Sequence, residues 1–232
     1  MDRHRITIAI DGHASAGKST MARALATELG LVYIDTGAMY RAAALFALRE
    51  RAIGSDGLDA EKLVAGLDRL FIQFKYNPST GRQETYLSGM NVEKEIRSAE
   101  VTRWVSPVAT VPELRTKLVH LQRRMASMGG VVMDGRDIGT VVLPKADLKF
   151  FVTASPEVRA QRRLDELHAA GRDDSFESVL ANVVERDRID SSREVAPLVQ
   201  AQDAIVLDNS HLTMDEQFEF LLAHARRLTH PV

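Results

Sequence analysis

Cysteine is absent from this 232-residue chain. That removes disulfides, thiolate zinc sites and a cysteine nucleophile together. No apolar run approaches the ~20 residues that a membrane-spanning helix needs. Net charge is scarce as well. Thirty Lys and Arg oppose 32 Asp and Glu, for a formal −2, so no global basic field points to nucleic acid or an anionic membrane. Aromatic residues are 6% of the chain with a single Trp, and Trp104 and the phenylalanines read as core. The seven histidines show neither H-x-x-x-H nor zinc-ligand spacing. Met1 to Arg5 is charged and leads straight into a strand, unlike a signal peptide, so the expected location is cytoplasmic. There is no internal repeat and no low-complexity segment. What remains is ordinary, with 45% hydrophobic and 27% charged residues, and the length suits one α/β domain with an insertion.

The stretch Gly12-His13-Ala14-Ser15-Ala16-Gly17-Lys18-Ser19 fits G-x-x-x-x-G-K-[ST] in full. Ile6, Ile8 and Ile10 alternate ahead of it as in a buried strand. Met21, Leu25 and Leu29 follow at helical spacing. A strand, a glycine loop and a helix together cradle phosphates: the backbone N–H groups converge on the oxygens, and the helix N-terminus adds partial positive charge. Lys18 is expected to reach the β- and γ-phosphates, and Ser19 to ligate Mg²⁺.

Leu31 to Ile34 reads as a second strand and Ala38 to Arg51 as a helix, with Gly54 to Asp59 as a linker. Phe71–Tyr76 and Gln83–Leu87 flank Asn77-Pro78-Ser79-Thr80-Gly81, a hairpin signal. The hairpin interrupts an otherwise alternating β-α pattern, so 59–105 reads as an inserted subdomain or as a sheet-edge excursion. From Pro112 to Met128 a helix carries the stripe Leu114, Leu118, Leu121, Met125 and Met128. Val131-Val132-Met133 is a buried strand delivering Asp134. Leu148–Val152 is another strand, and Ser155-Pro156 opens a helix that Gly171 breaks. A further helix spans Phe176 to Asp190, Ala204–Leu207 is the last strand, and Thr213 caps a C-terminal helix. Strands alternating with helices predict a parallel sheet covered on both faces.

Three groups carry candidate chemistry. Asp134, at the C-terminal end of a buried strand in a P-loop chain, suits a Mg²⁺ site; the bland reading is a loop cap. Arg186, Asp190 and Arg193 are spaced four and three, on the extension of the apolar stripe Phe176, Val179 and Val183. Buried charge must be paired, so they meet each other or an anionic ligand. Arg159 and Arg163 face together on one helix, either as a functional pair or as a solvated basic face.

The blocks IAIDG at 8–12 with AGKST at 16–20, DTGAMYR at 35–41, DGRDIGTVV at 134–142 and ERDRIDSSREVAPL at 185–198 resemble the bacterial cytidylate kinases among the P-loop nucleoside monophosphate kinases. They span almost the whole chain. The resemblance implies a P-loop kinase α/β fold with an inserted antiparallel β subdomain and a helical lid. The implied division is a core of 1–58, 106–154 and 195–232, a monophosphate-binding insert at 59–105, and a lid with acceptor-contacting helices at 155–194. It further implies transfer of a phosphoryl group from ATP, with Mg²⁺, to CMP or dCMP by a cytoplasmic monomer that needs no nucleic acid or membrane.

Carried over residue by residue, Gly12, Ala14, Ser15, Ala16, Gly17, Lys18, Ser19 and Thr20 hold ATP, and Arg159 and Arg163 close over it from the lid. Thr36 and Arg41 hold the acceptor, with Arg41 on its phosphate. Ser106, Arg115, Asp190 and Arg193 recognise the cytosine nucleotide. Arg136, Asp137 and Arg186 lie between acceptor and transferring phosphoryl. Lys18, Arg136, Asp137, Arg163 and Arg186 form the implied catalytic set, and Ser19 and Asp134 the metal set. Two departures stand out: His13 where the family usually has proline, and Asn209 in Asp208-Asn209-Ser210 where a hydroxyl residue is usual.

The chemistry agrees with these residue types. A carboxylate at 190 accepts from cytosine N4, which uracil lacks. The attacking phosphate oxygen is largely ionised at pH 7, so arginines and Mg²⁺ are needed and a general base is not. The rival readings are a UMP or AMP kinase, a P-loop GTPase switch, and a nucleic-acid module built on 186–193. The GTPase reading lacks an N-K-x-D. The nucleic-acid reading lacks net basic charge and interleaved aromatics.

Overall fold

The computed structural model describes residues 6–229, and the charged Met1–Arg5 segment lies outside them. In chain order the elements are β1 (Thr7–Gly12), α1 (Lys18–Leu29), β2 (Val32–Asp35), α2 (Thr36–Arg49), β3 (Ile53–Gly54), β4 (Gly57–Leu58), α3 (Ala60–Gly66), β5 (Ile72–Asn77), β6 (Arg82–Leu87) and β7 (Met90–Asn91). There follow α4 (Ala99–Val108), α5 (Pro112–Ala126), β8 (Val131–Gly135), β9 (Leu148–Thr153), α6 (Pro156–Ala169), α7 (Phe176–Ser192), β10 (Ile205–Asp208) and α8 (Met214–Thr229). The chain divides into two compact units, 1–35 with 122–232, and 36–121.

The first unit is the α/β fold expected for a P-loop kinase. Its sheet is parallel throughout, in the order β10-β9-β1-β8-β2. Central β1 is bonded on both sides and reads Ile8-Ala9-Ile10 without alternation, because both of its faces are buried. On one face Ile8, Ile10, Val132, Phe150 and Val152 pack with Met21 and Leu25 of α1 and Leu221, Leu222 and Ala225 of α8. On the other, Ala9 and Met133 are equally inaccessible. The register sets Ile10 beside Asp134, Asp11 beside Gly135 and Gly12 beside Val152. The C-terminal ends of β1, β8 and β9 therefore lie side by side, where open parallel sheets bind ligands. Helices α6 and α7 share a small core of Ala160, Leu164, Leu167, Val179 and Val183.

The second unit holds the antiparallel sheet β5-β6-β7 and the helices α2, α3, α4 and most of α5. Asn77 builds the hairpin turn: its side chain accepts from the N–H of Ser79 at 2.9 Å and its carbonyl from that of Gly81 at 2.9 Å. This compact unit is wider than the 59–105 stretch read from the sequence. The reason is that α2 packs on α4 and β6.

Several local expectations are corrected. The stretch 54–59 is not an open linker. It is mostly a miniature hairpin, β3 with β4, and Asp59 caps α3 by accepting from the N–H of Lys62 at 2.9 Å. Helix α4, capped by Ser98, has no counterpart in the sequence reading. Helix α5 stops at Ala126, so Met128 is 83% exposed and leaves the stripe. Trp104 is half-buried and Phe71 is 58% exposed, so neither is core.

Candidate active site

Gly12 ends β1 at φ 143, and a Cβ there would stand 1.9 Å from the carbonyl oxygen of Val152. No side chain fits, so glycine lets the loop leave the sheet against β9. Ser15 (φ 58) and Gly17 (φ 80) then take left-handed backbone, which turns successive N–H groups inward around a concavity suited to phosphate oxygens. Ala14 and Ala16 are buried beneath it and Thr20 is exposed on α1.

Lys18 is 5% exposed, and its ammonium donates to the carbonyl of His13 at 2.5 Å. Burial pushes its pKa down, and Arg136 adds to that. The ring of His13 stands edge-on to Phe151 with centroids 5.9 Å apart. The proline-to-histidine departure therefore leaves the carbonyl contact to Lys18 in place.

Beside the loop, Ser19 Oγ donates to Asp134 Oδ2 at 2.8 Å and Tyr33 Oη to Asp134 Oδ1 at 2.8 Å. Burial raises the Asp134 pKa, and Asp35 on the neighbouring strand raises it further. No cluster of three or more His, Asp or Glu residues able to hold a metal occurs among the described residues. A hydroxyl and one carboxylate still fit Mg²⁺, a hard cation held in such sites by one or two protein oxygens together with substrate phosphates and water. Tyr33 carries no sequence signal for this place.

Past β8 the site turns cationic. Arg136 Nε donates to Asp190 Oδ2 at 2.7 Å. Burial opposes the charge on Arg136, but Asp190 outweighs it and the pKa rises. Asp190 is 4% exposed. Burial works against its ionised form too, yet Arg136, Arg186 and Arg193 hold its pKa below the usual carboxylate range. For Arg186, Asp190 and Asp187 offset burial only in part. Burial, then Arg136, lower its pKa to about 10, Arg163 contributes to the same effect, and its Nε meets no hydrogen-bond partner among the described residues. Arg193 is not on the helical face expected from spacing. It is the C-cap of α7 with ψ 142, and its Nε donates to the carbonyl of Ala196 at 2.6 Å. It still lies 4.0 Å from Asp190 and 3.8 Å from Asp137.

The arginines of α6 separate. Arg159 is 2% exposed and fixed. It forks onto Asp187 at 3.0 and 2.6 Å and also donates to the carbonyls of Ala154 and of Ala14 in the phosphate loop. A solvated face is excluded for it. Arg163 pairs at 2.9 Å with the exposed Glu166. Arg162 instead reaches Asn209, through the side-chain oxygen at 2.9 Å and the carbonyl at 2.8 Å. Asn209 is fully buried, and its Nδ2 donates to the carbonyl of Ala16 and to Gln217. The asparagine departure is thus a bracket beneath the phosphate loop.

In the second unit Thr36 opens α2 and is buried, as are Ser106 of α4 and Arg115 of α5. Arg41 donates to Thr102 Oγ1 at 2.9 Å, and the Arg115 guanidinium lies 5.5 Å from the centre of the Tyr40 ring.

Sequence comparison adds to this geometry. The family model described as cytidylate kinase matches residues 8–227. The cytidylate kinase of Parabacteroides distasonis is 57% identical over 218 residues, 94% of this chain and 95% of that one. That of Flavobacterium johnsoniae is 56% identical over the same shares, and that of Porphyromonas gingivalis is 55% identical over 97% of each chain.

Proposed function

This chain belongs to the cytidylate kinase family, and on that premise we propose how its residues perform the ATP-dependent phosphorylation of CMP. The observation that carries the reading is the cation set Lys18, Arg136 and Arg186. Each is disfavoured by burial, and Arg136 makes charge costlier on the other two. Arg136 has Asp190 as its partner, but nearby carboxylates only partly offset the burial of Lys18 and Arg186, and cations held so beside a phosphate loop suit a polyanion.

ATP occupies the loop, with Lys18 on the β- and γ-phosphates and Arg159 holding α7 against Ala14. Ser19 and Asp134 would hold Mg²⁺, which would supply charge neutralisation at the donor phosphates. The CMP phosphate oxygen attacks without a protein base, since its second pKa is about 6. Arg136 and Arg186 spread the charge of the transferring group, with Arg163 adding positive field. We assign Asp190 and Arg193, with Ser106 and Arg115, to the cytosine nucleotide, Thr36 and Arg41 to its phosphate end, and Asp137 to its sugar. dCMP is accepted on the same contacts.

Initial rates with CMP, dCMP, UMP and AMP and Mg-ATP test the reading. CMP and dCMP are expected to exceed the other two. A preference for UMP or AMP overturns the acceptor assignment.

A further inference from the structure

We propose that Asp11 is a positioning residue for this reaction: from β1 it caps the turn that follows Asp137, and so leaves the Asp137 carboxylate to face Arg193 and the acceptor. The inference rests on the kinase reading above.

The turn Ile138–Val142 begins with N–H groups that need acceptors. Such a turn is usually capped by the side chain of the residue ahead of it. Asp137 stands at that position and its side chain does not cap. Instead, Asp11 Oδ1 accepts from the N–H of Ile138 at 2.8 Å and Asp11 Oδ2 from that of Gly139 at 2.7 Å. The carboxylate comes from a residue 127 positions earlier and is 3% exposed. Both of its oxygens are committed to this one turn.

The fit is close on the other side too. A Cβ on Gly139 would lie 3.3 Å from Asp11 Oδ2 and 3.1 Å from Lys149 Cδ. The charged groups acting on Asp11 are Asp137 from the turn and Lys18 from α1. Lys149, from β9, turns its ammonium away to the carbonyl of Pro144 and to Asp203. Burial, the largest influence, lifts the Asp11 pKa to about 6 even though both N–H bonds pull it down. Protonation would replace one acceptor by an O–H facing an N–H. The turn, and with it Asp137 and Arg136 just ahead, would then lose its fixed seat.

The test is Asp11→Asn, which keeps one acceptor and does not titrate. The expected result is a tenfold or greater fall in kcat/KM for CMP, because misplacing a reacting group by about an ångström costs up to a hundredfold. The KM for ATP should stay within about twofold. CMP titrates in the same pH range, so the second readout is the ratio of wild-type to variant rate. That ratio should fall as pH drops through 6. Gly139→Ala presses on the same contact with the carboxylate retained, and should show the same split between CMP and ATP; it decides the matter if Asp11→Asn does not fold. A pH-independent ratio, or losses equal for both substrates, overturns the positioning role. A wild type that does not phosphorylate CMP overturns the kinase reading instead.

Discussion

Arg136 and Asp190 are joined by a 2.7 Å bond between a guanidinium that follows β8 and a carboxylate near the end of α7. The bond does two jobs. It keeps α7 against the residues that follow β8, and it holds a buried carboxylate ionised.

Asp190→Ala should therefore show two losses. Stability should drop by about 3 kcal/mol, because Arg136 keeps its charge without its partner. The preference for CMP over UMP should shrink tenfold or more, the equivalent of a charged hydrogen bond of about 1.5–3 kcal/mol. UMP presents O4, an acceptor that the wild-type carboxylate repels. Thermal unfolding and kcat/KM for both acceptors check this. An unchanged ratio reduces the Arg136–Asp190–Arg193 group to a structural ion network.

Lys18→Met should cut the rate more than a hundredfold, on the order of 3 kcal/mol in barrier. Its melting temperature should be unchanged or higher, because burial already disfavours the ammonium. A folded variant with near wild-type turnover refutes the assignment.

Arg159→Ala should destabilise the first unit by about 3–5 kcal/mol, since it strands Asp187 at a mostly buried pair. The KM for ATP should rise, because the contact to the Ala14 carbonyl is lost. Arg159→Lys restores charge but not the fork, so its rescue should be partial. A double-mutant cycle with Asp187→Ala that gives no coupling removes the pair as the cause.

Asp11 makes a prediction about stability that is separate from rate. Its folded pKa of about 6 lies above the ordinary 3.8. Between pH 4 and 6 the unfolded chain releases this proton while the folded chain keeps it. Stability from this group is thus fullest below pH 4 and is lost as pH rises to 6, by about 3 kcal/mol. Urea unfolding of wild type and Asp11→Asn across that window should differ by this slope. Parallel profiles refute it.

The phosphate loop with Lys18 and Ser19 was legible because local chain spacing sets a strand, a glycine loop and a helix in sequence, and Asp134 because a continuous apolar strand delivers it. The five-stranded parallel sheet was legible in outline for the same reason: continuous apolar runs announce buried strands. What spacing could not show is who meets whom across the fold. Asp11 reaches Ile138, Arg159 reaches Asp187, and Asn209 reaches Ala16 only once the sheet order exists. Helical periodicity also misled at Arg193, where Ala196 at φ 51 and the bond from the Leu198 N–H to the Asp190 carbonyl fold the chain back over the end of α7.

The Asn209 bracket also gives the protein a chemical clock. Asparagine followed by serine is a sequence prone to deamidation, in which the next residue's backbone nitrogen attacks the side-chain carbonyl and expels ammonia. Here the Ser210 N–H is committed to Asp208 at 2.9 Å and the Asn209 amide donates in two directions. Ageing at this position must wait for local opening. The aspartate or isoaspartate that forms would point a carboxylate at the carbonyl of Ala16 and the oxygen of Gln217, both of which accepted hydrogen bonds before. Each molecule that opens long enough to deamidate is then kept from closing properly again. Stored enzyme should lose activity in step with a gain of one mass unit at this peptide, and saturating ATP should slow both together.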